Sequence, residues 1–69
     1  MSSVATNVRR LIAKLKESPD KTLTVQGAIL ALQWSDTKVR NYFRAVTERY
    51  PDRFVKVASG GIKFIGDKD

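Results

Sequence analysis

The stretch from Leu23 to Arg44 limits the possible folds of this chain more than any other. Thr24 is a fitting N-cap, because its hydroxyl can accept a backbone N–H two or three residues further on. Behind it Val25, Ala28, Ile29 and Leu32 recur at helical spacing and share one face. Gln33-Trp34-Ser35 interrupts that period. Ser35 or Asp36 caps the next run, and Asp36 also suits the positive end of a helix dipole. Val39, Phe43, Val46 and Tyr50 face inward along this run, and Pro51-Asp52 stops it. The pattern predicts a helix over Val25–Leu32, a tight turn, and a longer helix from Asp36 to Arg49 or Tyr50. Thr37, Lys38, Arg40, Asn41 and Arg44 are left on the outward face of the longer helix.

The flanking segments are simpler. Val8, Leu11, Ile12 and Leu15 form an apolar stripe, which predicts a first helix over Val4–Glu17 with Arg9, Arg10, Lys14 and Lys16 in water. Ser18-Pro19-Asp20 ends it, since the residue before proline avoids the helical region. Leu23-Thr24-Val25 is short and β-prone, a single edge strand leading into the second helix. After Pro51, the segments Phe54–Val57 and Ile62–Ile65 are predicted to form a hairpin around Ala58-Ser59-Gly60-Gly61, where glycine supplies the positive φ a turn demands. The expected register sets Val57 against Ile62 and Val55 against Phe64 as one apolar face. It also sets Lys56 against Lys63 on the outer face, a like-charge pair that weakens a hairpin. Gly66-Asp67-Lys68-Asp69 is expected to fray.

Composition narrows the chemistry. The chain has 69 residues, a net charge of +6, and neither cysteine nor histidine. Disulfides and thiolate metal sites are therefore excluded, and the commonest general base and metal ligand are missing. The seven acidic residues are scattered, with no pair placed to share a proton or a metal. The reading is no enzyme, no cofactor and no metal. No apolar stretch approaches the ~20 residues that span a membrane. Met1 to Thr6 lacks an apolar signal core, so the expected compartment is intracellular, cytoplasm or nucleoid. So high a positive charge on so small a body suggests a polyanionic partner.

The order helix, short strand, helix, turn, helix, two-stranded hairpin resembles a winged helix-turn-helix domain, an α+β fold. The resemblance covers about Val4 to Ile65 and implies one such domain over residues 1–69. It is carried by Leu23-Thr24-Val25, by Ala28 and Leu32, by Trp34-Ser35-Asp36, by Val39 with Tyr42 or Phe43, and by the hairpin as the wing. Trp34 fills the place of the apolar residue that follows the turn in this fold. Gln33 stands where its members often have glycine. Arg49-Tyr50-Pro51, followed by a basic strand and a glycine-containing wing tip, is similar in outline to the Rok-type nucleoid-associated silencers. The chain differs from winged domains that bind Z-form nucleic acid, which carry a tyrosine where Arg44 stands and a proline in the wing.

The resemblance implies double-stranded DNA as partner, in transcription regulation or genome organisation, with the third helix in or over a groove and the wing across neighbouring phosphates. The candidate DNA-binding residues are Thr24, Thr37, Lys38, Arg40, Asn41, Arg44, Lys56, Ser59, Gly60 and Lys63. Arginine can pair with guanine in bidentate fashion and asparagine with adenine. Thr24, Thr37, Lys38 and Ser59 suit phosphates. The plainer account of the helix face is solvated charge, but only Asp36 with Arg40 and Arg44 with Glu48 have i,i+4 partners. Trp34 is read as core in preference to a base-stacking platform. The alternative function is a protein–protein module within a larger assembly. In that case the outer face of the hairpin, Phe54 and Ile65, would carry the contact and could support a homodimer.

Overall fold

A computed structural model of the chain describes residues 3–66, without the side chain of Ser59. The expected fraying at 67–69 lies outside the described residues. The helices are α1 (Val4–Glu17), α2 (Val25–Leu32) and α3 (Asp36–Arg49), and the strands are β1 (Thr22–Leu23), β2 (Phe54–Lys56) and β3 (Ile62–Phe64). A single 3₁₀ turn, Ala58–Gly60, joins β2 to β3. The architecture is α+β: three helices and an antiparallel sheet of order β1-β3-β2.

Each helix begins where a hydroxyl can cap it. Ser3 Oγ accepts from the Thr6 N–H, Thr24 Oγ from Gly27 and Ser35 Oγ from Lys38. Such caps contribute about 1 kcal/mol each. The α1 stripe buries Leu11 and Leu15 fully, while Val8 and Ile12 remain half-covered. Ala28 and Leu32 from α2, then Val39, Phe43 and Val46 from α3, complete the helical part of the core. Gln33 ends α2 in the left-handed region at φ 60°, ψ 37°. A glycine would adopt that conformation without the steric cost a Cβ carries there.

Two features of the C-terminal half differ from expectation. Tyr50 does not face inward. It leaves the helix at φ −128° and is 37% exposed, with its ring 6.4 Å from that of Phe54. The hairpin register is also displaced by one residue: Phe54 pairs with Phe64, Val55 with Lys63 and Lys56 with Ile62. Beyond the end of β2, Val57 donates its N–H to the Gly61 carbonyl at 3.1 Å in step with the same register, and so faces Gly61 where Ile62 was expected. A one-residue slip exchanges the two faces of a strand. Here it turns Phe54 inward, 1% exposed and 5.3 Å from the Phe64 ring, and leaves Val55 half-buried on the other side. The observed pairing sets the large Phe54 ring against Phe64 in the core while Val55 and Val57 both stay half-buried, so it gains the aromatic contact without exposing either valine fully.

The slip removes the predicted Lys56–Lys63 opposition. Lys56 is opposite Ile62, while Lys63 lies on the outer face between Thr22 and Val55. It also removes Phe54 from the exposed patch expected on the hairpin, leaving Ile65 at 43% exposure.

Candidate nucleic-acid interface

Between α3 and the β2–β3 hairpin lies an open cleft of about 310 Å³. One wall is the flank of α3 that carries Arg40, Asn41 and Arg44. Arg40 and Arg44 are one helical turn apart and so share a face. The burial of Val39 and Phe43 fixes which way that face turns. The opposite wall is Lys56, at the end of β2, with the backbone of Gly60 and Gly61. Phe43, Ile62 and Val25 form the floor.

Gly61 holds the hairpin in this position. A Cβ there would lie 2.6 Å from the Leu23 carbonyl oxygen, so only glycine lets the loop close on β1. Gly60 is the opposite case: it takes φ 82° at the tip and has open space around it. Gly60, the candidate contact residue, thus leaves its backbone open at the cleft. Gly61 lines the same wall, and its lack of a side chain is what lets the loop pack on Leu23.

No acidic residue lines the cleft among the described residues. One carboxylate touches its edge: Arg40 donates through Nε to Asp36 Oδ1 at 2.7 Å. Both side chains are exposed, and such a pair contributes about 0–1 kcal/mol. The other expected pair, Arg44 with Glu48, is absent among the described residues.

Arg40, Asn41, Arg44, Lys56 and Gly60 are thus brought together, and the remaining candidates are not. Thr24 caps α2 and borders an adjoining depression with Gln26, Asp36 and Arg40. Thr37 is exposed in the first turn of α3. Lys38 is turned away from the cleft, its Nζ 4.6 Å from the Trp34 ring centroid. Positions 38 and 40 are separated by about 160° round a helix, so they cannot share a flank. Lys63 is on the outer face of the sheet. The side chain of Ser59 lies outside the described residues.

Trp34 is core, 6% exposed and 4.9 Å from the Tyr42 ring, which leaves it no face for a base. Among the described residues its Nε1 has no hydrogen-bond acceptor and Asn7 Oδ1 no donor, although Asn7 donates its amide to the Tyr42 hydroxyl at 2.9 Å.

Among the described residues there is no group of three or more potential metal ligands, and no helix is long and apolar enough to cross a membrane. No family model matches the chain, and neither a curated protein nor a solved structure matches it.

Proposed function

We propose that this chain is a winged helix-turn-helix domain that binds double-stranded DNA, in transcription regulation or genome organisation. The observation that carries the reading is the cleft in which Arg40, Asn41 and Arg44 of α3 meet Lys56 and Gly60 of the hairpin, with no acidic residue in its lining among the described residues. In this reading α2 and α3 are the helix-turn-helix, with Gln33 in the left-handed turn position, and β2–β3 is the wing. Asn41 and the paired Arg40 and Arg44 address base edges, where bidentate hydrogen bonds discriminate by ~1–3 kcal/mol each. Lys56 contacts a phosphate, and the bare backbone at Gly60 allows the strand to approach closely. Thr24 and Thr37 stand near enough to the N-termini of α2 and α3 to add phosphate hydrogen bonds.

Salt dependence tests this. Lys56 neutralises one phosphate, and Arg40 and Arg44 bring further positive charge into the groove, so log K against log salt should fall with a slope of about −1 to −3. A response that is flat in salt contradicts the proposal.

A further inference from the structure

A second recess, of about 850 Å³, runs between α1 and α3. Its floor is Val8 and Ile12 from α1 with Tyr42 and Val46 from α3. Tyr42 falls about 160° round the helix from Arg44, so this groove and the cationic cleft occupy opposite flanks of α3. The rim carries Arg9, Arg49 and Arg53, and no acidic residue lines the recess among the described residues. None of the three arginines forms an ion pair among those residues, although the Arg53 guanidinium lies 5.7 Å from the Phe64 ring centroid.

We propose that this groove docks an acidic amphipathic helix from a partner protein. An apolar trough between two helices is the shape that accepts the apolar face of a third, through anchors at i, i+3 or i+4 and i+7. From Val4 to Ile12 the α1 wall is roughly 12 Å long, enough for about two helical turns and three anchors. Unpaired arginines along the rim specify carboxylates beside those anchors.

The same rim argues against two other occupants. A two-fold dimer through this face would oppose the same patch on both copies, arginines against arginines, in a chain already at +6. A lipid surface is met by a row of projecting apolar side chains, whereas here Val4 and Tyr50 are exposed at the mouth and Val8, Ile12 and Tyr42 along the floor are recessed and partly covered. This inference does not rest on the DNA reading.

The test uses the full chain and a fluorescein-labelled peptide of roughly fifteen residues, with leucine at the i, i+3, i+4 and i+7 positions and glutamate elsewhere. A lysine-for-glutamate peptide with the same leucines is the control. By anisotropy the acidic peptide should bind at least roughly tenfold more tightly than the basic one. The exposed double substitution Arg9→Glu with Arg49→Glu should reverse that preference, with the near-ultraviolet signal of Trp34 confirming the fold. Arg44→Ala should leave peptide affinity unchanged, and a saturating DNA duplex should not displace the peptide. Equal binding of the two peptides, or no binding, overturns the proposal. Displacement by duplex overturns it too, because the peptide would then be occupying the cationic cleft. So does a dimer, or adsorption to phosphatidylserine vesicles, that the same double substitution abolishes.

Discussion

The two flanks of α3 carry like charge over apolar floors but have unlike walls. On one side Arg40, Arg44 and Lys56 surround a cleft whose wall holds the Asn41 amide and a glycine backbone. On the other, Arg9, Arg49 and Arg53 surround a trough floored by valine, isoleucine and tyrosine. Each lining holds three cations and, among the described residues, no acid. Counting charge therefore does not tell the two apart. What separates them is what a ligand meets after the first electrostatic attraction. Hydrogen-bonding groups with open backbone suit a phosphate strand and base edges, and aliphatic surface suits another apolar face.

The largest expected effect removes the comparison altogether. Phe43 is the buried ridge from which both flanks of α3 are set, and Phe43→Ala should cost about 3–5 kcal/mol in urea denaturation. A loss below ~1 kcal/mol would mean that α3 is not anchored through this residue. Gly61→Ala is next and separates the flanks. The added methyl must displace the Leu23 carbonyl, so stability should drop by ~1–3 kcal/mol and DNA affinity should fall, with the α1–α3 groove unaffected. If duplex binding is untouched while stability falls, the position of the hairpin does not matter to the cleft.

Smaller effects sharpen the contrast within the hairpin. Lys56→Gln should weaken binding to every duplex sequence and make the salt slope shallower by about one unit, whereas Lys63→Gln should leave the slope nearly unchanged. Equal effects would mean that both faces of the sheet meet DNA. The smallest effect concerns neither flank and serves as a control on the structure. The Ser18 hydroxyl donates to Asp20 Oδ1 at 2.7 Å and holds that carboxyl below its ordinary value of 3.8. A depressed carboxyl stabilises the fold above its unfolded-state pKa, and the contribution disappears as pH falls through the folded value. Ser18→Ala should therefore raise the Asp20 midpoint in a carboxyl-detected titration. An unmoved midpoint would show that the hydrogen bond is not formed in solution.

The helices were legible in the sequence because independent signals agreed on them. Thr24 and Ser35 mark two starts, Pro19 and Pro51 follow two ends, and the apolar period runs between them. The hairpin register was not legible because Phe54, Val55 and Val57 are apolar on both parities, so alternation cannot choose a face. Loop length chose it: the Val57 to Gly61 hydrogen bond closes a loop of three residues, Ala58–Gly60, where four were expected. The misplacement of Lys38 had a readable signal, since its angular offset from Arg40 follows from helix geometry alone. The closeness of Gly61 to Leu23 had none, because it depends on how β1 adds to β3. The α1–α3 groove was half-visible: the stripe Val8, Leu11, Ile12, Leu15 is wider than the contact that buries Leu11 and Leu15.

The most direct test of the central claim is an amide-shift titration of the whole chain with a short DNA duplex. The account predicts that the largest perturbations fall at Arg40, Asn41, Arg44, Lys56 and Gly60 and shrink as salt is raised. Val8, Arg49 and Lys63 should move little. Perturbations centred on Lys63 or spread along α1, with the cleft residues silent, would contradict it.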